Sequence, residues 1–101
     1  MRVISTKLRE SARGQDCSLR IPGICNFNPE TTVLAHLPCG QKGVGMKSPD
    51  QMAVFSCSHC HTFIDSQRFS ELTAKHILQA LAETQMHWIQ KGLMIIKGSK
   101  V

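Results

Sequence analysis

The sequence lacks three features that would assign it to whole classes of protein. It has no apolar run approaching the roughly 20 residues needed to cross a bilayer. The charged segment before Cys17 contains no apolar core of a secretory signal. It has no internal repeat and no low-complexity tract. We therefore expect a cytoplasmic protein without a membrane partner, in which thiols stay reduced and free for metals.

Charged residues are also scarce, at 19% of the chain, while 42% of the chain is hydrophobic. This balance argues against wholesale disorder and predicts a folded module. A chain of 101 residues predicts one domain with a modest core, which a structural staple would help to hold. The net charge of +5 favours an anionic partner, with nucleic acid ahead of a membrane surface. Charge alone also fits a protein that is merely soluble and basic.

The local patterns predict a small α+β domain with the order β-β-α, then a long helix and a tail strand. Ser70 is the expected N-cap of the long helix and Gly92 its expected stop. We divide the chain into a basic N-terminal arm (1–16), a zinc-stapled core (17–67) and a C-terminal part packed on the same domain (68–101). The predicted elements are an arm or loosely held strand at 1–16, strands at 31–36 and 52–56, helices at 59–67 and 70–91, and a strand at 93–97.

The stretch Cys57-Ser58-His59-Cys60-His61 fits three kinds of site. Attachment of c-type haem uses Cys-x-x-Cys-His, but that chemistry normally needs export and leaves the other cysteines without a role. A thioredoxin-like dithiol needs its Cys-x-x-Cys inside a βαβ pattern, which the predicted element order does not provide. A metal site accounts for more of the residues, so we favour it.

Four of the five cysteines form two pairs suited to tetrahedral zinc. Cys57 and Cys60 make one tight knuckle, and Cys17 and Cys25, with seven residues between them, make a looser one. Soft thiolates match zinc, and four of them close the site against water. The alternative is that Cys17 or Cys25 is a small core residue. Cys39 is left over, so we predict that it is a free thiol, and the odd count argues against a disulfide framework.

A Cys₄ zinc leaves His36, His61 and Asp65 without a role. His61 and Asp65 are four residues apart, so on a helix they share one face. An imidazole and a carboxylate on one face can bind a divalent ion and leave positions open for substrate and water. His36, at the end of the preceding strand, could point at the same ion. Alternatively, Asp65 is a solvated helix residue and His61 a local cap.

The segment from Cys17 to Gln67, with its "AHLP", Gly/Lys loop and "SPDQMAVFSCSHCHTFID", resembles the HNH, or ββα-metal, nuclease family, which has a treble-clef-like fold. Within that family the pattern resembles the small prophage-borne YbcO group. The resemblance implies that the strand-end histidine, here His36, activates water. It implies that Asp50 takes the place of the Asn or Asp that braces the following loop.

The resemblance further implies that His61 holds the catalytic ion, Mg²⁺ or another divalent metal. Asp65 matches a second ligand found four residues on, which is often histidine in the family. Ala35 stands where many members have a metal-binding Asp or His. His59, between the knuckle cysteines, is expected to be exposed and not catalytic.

The predicted function is therefore metal-dependent hydrolysis of DNA phosphodiester bonds, with a separate structural zinc. Four basic residues are expected to follow the phosphate backbone without reading sequence, namely Arg9, Arg13, Lys42 and Lys47. The loop "GQKGVG" is not a P-loop, because no Gly-Lys-Ser/Thr follows at the required spacing. Two rival functions use fewer of these residues: a non-catalytic zinc module that binds nucleic acid, and a zinc-stapled adaptor that dimerises through its long helix.

Overall fold

A computed structural model describes residues 3–37, 48–67 and 71–99 of the chain. The fold is a small α+β domain with a two-stranded sheet and a long C-terminal helix. None of the helices in these three ranges is both long and apolar enough to cross a membrane. The elements are α1 (Thr6–Ser11), a 3₁₀ helix (Pro29–Thr31), β1 (Val33–His36), β2 (Ala53–Ser56), α2 (Ser58–Gln67) and α3 (Glu71–Gln90).

The two strands form an antiparallel ladder that brings the end of β1 next to the start of β2. Ala35 pairs with Val54 and His36 with Ala53, so His36 lies at the end of β1 beside the start of β2. β2 is buried along its whole length and leads directly through Cys57 into α2, whose first turn is closed by the His61 N–H donating to the Cys57 carbonyl. The predicted strand–strand–helix order is therefore observed.

The main core cluster is built around four cysteines. Cys17, Cys57 and Cys60 are buried in it, and Cys25 packs at its edge. Its larger aliphatic members are Leu19, Ile21, Leu37, Val54, Ile64 and Ile77. The sulfurs lie among these side chains, so a metal that held them together would also tie these segments of the chain to one another.

A second core cluster seats α3 and α1 on the sheet. Trp88 is fully buried against Leu8, Ala12 and Phe55, and its indole N–H donates to Ser11 Oγ at 2.7 Å. Phe55 meets the Trp88 ring edge-on at a centroid distance of 6.0 Å. This packing joins α1 and α3 to β2 in one apolar cluster.

The long helix ends as the sequence predicts. Gly92 has a φ of +72°, a conformation that glycine adopts without steric cost. The Gly92 N–H donates to the Ile89 carbonyl and the Leu93 N–H to the Trp88 carbonyl, which is the hydrogen-bond pattern of a Schellman C-cap. Leu93 then packs against the Trp88 cluster. The predicted N-cap Ser70 lies outside the described residues.

Two predicted elements were wrong. Residues 6–11 form α1 and not an arm or loose strand. A helix of six residues is too short to persist alone, so it depends on the Ser5 N-cap, whose side chain accepts from the Leu8 N–H, and on packing against Trp88. Residues 93–97 form no strand, because the C-cap turns them across the helix end, where Leu93 and Met94 pack on the second cluster. The three-part division of the chain stays a prediction.

Candidate functional site

The four predicted zinc ligands lie together. The Sγ atoms of Cys17, Cys25, Cys57 and Cys60 all lie within 4.8 Å of one another, although the two pairs are far apart in sequence. A tetrahedral site with Zn–S bonds of about 2.3 Å has S···S edges of about 3.8 Å, and the Cys25–Cys57 separation is 3.8 Å. No two of these sulfurs form a disulfide. The cluster can therefore hold a metal such as zinc.

Backbone N–H groups already surround these sulfurs. The Cys60 N–H donates to Cys57 Sγ at 3.3 Å, and the Phe27 N–H donates to Cys25 Sγ at 3.4 Å. Phe27 has a φ of +53°, an uncommon conformation for a residue with a side chain, which helps to aim its N–H at the sulfur. Each of these hydrogen bonds favours the thiolate form of the sulfur that accepts it.

The environment also separates the acidities of the thiols. Burial raises the pKa of Cys57, but hydrogen bonds from the backbone of Cys60 and Asn26 and from neighbouring thiols outweigh it and lower the pKa to about 7. Burial raises the pKa values of Cys60 and Cys25. Cys57 therefore forms a thiolate more readily than Cys25 or Cys60, and a bound cation would favour deprotonation of those two thiols.

Asp50 and His36 form a second polar centre at the end of β1. His36 Nε2 lies 2.7 Å from Asp50 Oδ1, and the Asp50 side chain is only 1% exposed. Asp50 also accepts from the Ser5 N–H at 2.6 Å and from Arg9 Nε at 2.9 Å, both at Oδ2. Burial by itself raises the pKa of Asp50, but these hydrogen bonds and the Arg9 charge outweigh it, so the pKa lies below its ordinary value.

A cleft of about 360 Å³ opens beside this centre. It is lined by His36, by Arg9 of α1 and Arg13 just after the end of α1, by Glu30 of the 3₁₀ helix, and by residues of the β1 segment. The His36 side chain is partly exposed, so a molecule in the cleft can reach the imidazole. Arg9 is paired with Asp50 and Glu30 adds a negative charge, so the exposed Arg13 and His36 are the groups of this cleft that could meet an anionic substrate.

His61 and Asp65 face each other on α2, as their spacing predicts. His61 Nε2 lies 3.4 Å from Asp65 Oδ2, and both side chains are accessible to solvent. In the described ranges the four cysteines are the only cluster of three or more residues placed to hold a metal, so His36, His61 and Asp65 do not form one. The ligand atoms of His36, His61 and Asp65 thus do not all lie within 4.8 Å of one another.

Several predicted site residues can be placed and others cannot. His59 is exposed, as expected. Arg9 is engaged in an ion pair with Asp50, which its prediction as a phosphate contact did not anticipate. Sequence reasoning missed Ser5 altogether; its only local signal is that of an N-cap serine. Lys42, Lys47 and Cys39 lie outside the described residues.

Comparison with known proteins gives a consistent result. A family model described as "Putative nuclease YbcO" matches residues 6–93. The chain is 43% identical over 91 residues to "Putative nuclease YbcO" of Escherichia coli strain K12, covering 86% of this chain and 95% of that protein. The same figures hold for "Putative nuclease ybcO" of Enterobacteria phage 82.

A solved structure shows the same fold. It is titled "Structure of a putative bacteriophage protein from Escherichia coli str. K-12 substr. MG1655" and is 39% identical, with a TM-score of 0.69. The match covers 85% of this chain and all of that one, at 100%. The resemblance to the YbcO group predicted from the sequence is confirmed. Since the family model spans most of the chain and close relatives match nearly their whole length, this chain belongs to the family described as Putative nuclease YbcO.

Proposed function

We propose that the protein is a metal-dependent HNH-type endonuclease that hydrolyses DNA phosphodiester bonds. The observation that carries the proposal is the position of His36. One nitrogen of its imidazole is hydrogen-bonded to the buried carboxylate of Asp50, and the ring borders a cleft that Arg9 and Arg13 also line. Two relatives carry the name "Putative nuclease", which supports a nucleic-acid substrate.

His36 is the proposed general base. Imidazole suits proton abstraction from water near neutral pH. Asp50 occupies Nε2, so Nδ1 is the nitrogen that takes the proton. Hydrolysis then needs the water placed in line with the departing O3′ oxygen, and the cleft beside His36 provides space for the phosphate.

His61 and Asp65 are the proposed ligands of the catalytic ion. One imidazole nitrogen and one carboxylate oxygen on the same helix face fit a divalent metal such as Mg²⁺ or Mn²⁺, which keeps further positions for water and phosphate oxygens. When bound, such an ion stabilises negative charge on the phosphate and on the leaving oxygen. The solvent exposure of both side chains leaves that side of α2 open to a substrate.

Zinc at the four cysteines has a structural role in this proposal. All four positions of a tetrahedral ion are filled by sulfur, which leaves none for water or substrate. Zinc there would hold the end of β2 and the start of α2 against the segment that carries Cys17 and Cys25. Because His61 follows Cys60 directly, the zinc would also fix the position of His61.

The phosphate backbone is the proposed binding partner. Arg13 is exposed at the cleft, and the chain carries a net charge of +5. Contacts of this kind position the DNA and carry little sequence preference. Lys42 and Lys47 are proposed to extend the same contact.

The experiment is nicking of supercoiled plasmid by purified protein with Mg²⁺ or Mn²⁺, with EDTA as the metal-free arm. His36→Ala should keep the fold and the zinc but lose about 10²–10⁴-fold in rate, the usual contribution of a general base. His59→Ala is the matched control, because His59 is an exposed histidine on the same domain and is given no role. Full activity of His36→Ala would remove His36 from the mechanism. Binding without cleavage by the wild type would instead indicate a zinc-stapled nucleic-acid-binding module.

A further inference from the structure

The hydrogen bonds of Asp50 determine which nitrogen of His36 carries the proton. Asp50 has a pKa below its ordinary value, so at neutral pH it is a carboxylate and can only accept. His36 Nε2, 2.7 Å from Asp50 Oδ1, must then be the donor. In the neutral imidazole the other nitrogen, Nδ1, is unprotonated and able to take a proton.

Asp50 is itself held by the N-terminal helix. Arg9 binds both carboxylate oxygens, through Nε to Oδ2 at 2.9 Å and through Nη2 to Oδ1 at 3.3 Å. The Ser5 N–H donates to Oδ2, and the Asp50 N–H donates back to the Val3 carbonyl. With His36 these bonds use the roughly four acceptor positions of a carboxylate, so Asp50 has little freedom to turn away from the imidazole.

We propose that Arg9 and Asp50 are positioning residues for His36, so that α1 acts through the Asp50 carboxylate to keep the imidazole in its Nε2–H tautomer with Nδ1 free. This inference rests on the proposed nuclease function. It gives Arg9 a role different from that of Arg13: Arg9 sets the geometry of the base, whereas Arg13 contacts the substrate. It also makes the N-terminal helix part of the active site, although the strand–strand–helix unit alone contains His36 and Asp50.

The first test is spectroscopic and needs no activity. The ring nitrogens of His36 are observed by NMR in ¹⁵N-histidine-labelled wild-type protein at pH 8, with the signals assigned by comparison with His36→Gln. The expected result is a protonated Nε2 and an unprotonated Nδ1. Asp50→Asn should lose the single tautomer, because an amide can either accept from Nε2–H or donate to a bare Nε2. A wild type with its proton on Nδ1, or with both tautomers present, overturns the proposal.

The second test separates positioning from binding. Arg9→Gln should lower kcat by about 10–100-fold, the loss expected when a reacting group is misplaced by about 1 Å, and should leave KM for DNA nearly unchanged. Arg13→Gln should raise KM and leave kcat nearly unchanged. Lys7→Gln is the matched control, since it removes one positive charge from an exposed position of the same helix, and its kcat should equal that of the wild type.

The outcomes are distinct. Equal kcat values for Arg9→Gln and Lys7→Gln, or an effect of Arg9→Gln on KM alone, overturn the proposal. If Arg9→Gln does not fold, as judged by circular dichroism and zinc content, Arg9→Lys replaces it: a lysine keeps the charge without the two-bond geometry, so a lowered kcat supports the proposal and an unchanged kcat overturns it. If the wild type does not cleave DNA, the proposed function fails, and the tautomer of His36 alone decides whether Asp50 holds the imidazole.

Discussion

Loss of one cysteine from the metal cluster should unfold the domain. We consider Cys60→Ser, because Cys60 is fully buried and lies in the main core cluster with the other three sulfurs. Serine is close to cysteine in size, so the substitution removes a thiolate ligand with little change in packing. Its effect therefore reports the metal and not a cavity.

The magnitude follows from the size of the core. A domain of 101 residues has a total stability of about 5–15 kcal/mol. Structural zinc in small peptides contributes roughly 10–16 kcal/mol of apparent binding free energy, which is available for folding because the unfolded chain has no preformed site. Since the four sulfurs belong to the main core cluster and the metal contributes about as much free energy as the whole domain has, the remaining core should not hold the fold once the metal is lost.

The assay combines metal content with thermal unfolding. Purified wild type should contain tightly bound zinc and show a cooperative transition that EDTA abolishes. Cys60→Ser should contain little zinc and show no cooperative transition. Cys39→Ser is the matched control, because Cys39 is predicted to be a free thiol, and it should behave as wild type. A metal-free wild type, or a Cys60→Ser variant with the wild-type melting temperature, would refute the reasoning.

Three further predictions concern the ion pair, the catalytic ion and the partner. The pKa of Asp50 is lowered in the folded state, so the carboxylate stabilises the fold above its ordinary pKa of about 4, and this stabilisation is lost as the pH falls through the folded-state pKa. The stability difference between wild type and Asp50→Asn, measured by urea unfolding, should therefore shrink below about pH 4, and a constant difference would contradict this. Asp65→Ala should weaken activation of cleavage by Mg²⁺ while the zinc content stays unchanged. Asp65→His should shift the metal preference of cleavage toward Ni²⁺ or Zn²⁺, since a nitrogen donor replaces an oxygen donor at the same position on the helix. If cleavage by both variants depends on metal concentration as in the wild type, Asp65 is a surface residue and not a ligand. DNA affinity should fall steeply between about 50 and 200 mM salt, as expected of phosphate contacts, and salt-independent binding measured by fluorescence anisotropy would rule them out as the main contribution.

Much of the fold could be predicted because its signals are local. Gly92 ends α3 through a C-cap that depends on the backbone freedom of one residue. The β-branched and apolar residues before His36 predict β1, and the Cys57–Cys60 spacing predicts a turn into a helix. Each of these features involves neighbours in sequence, so the residues that determine it can be read in one short window.

The errors came from elements whose stability is not local. The segment at 6–11 has few helical signals of its own. Its helix is held by the packing of Leu8 and Ala12 against Trp88, which is distant in sequence. The apolar run after Gly92 suggests a strand, but a β-strand needs a partner edge. Leu93 and Met94 instead pack on the second cluster, and Ile95 and Ile96 are exposed.

The sequence by itself determined the set of chemical groups: two cysteine pairs, a histidine at a strand end, and His61 with Asp65 on one helix face. These follow from residue type and from the periods of helix and strand. Only the tertiary structure decided which groups meet. It placed the four Sγ atoms within 4.8 Å of one another. It also formed hydrogen bonds between His36 and Asp50 and between Asp50 and Arg9, which are 14 and 41 residues apart in sequence. Contacts between distant segments depend on how the whole core packs, and no single window of sequence contains that information.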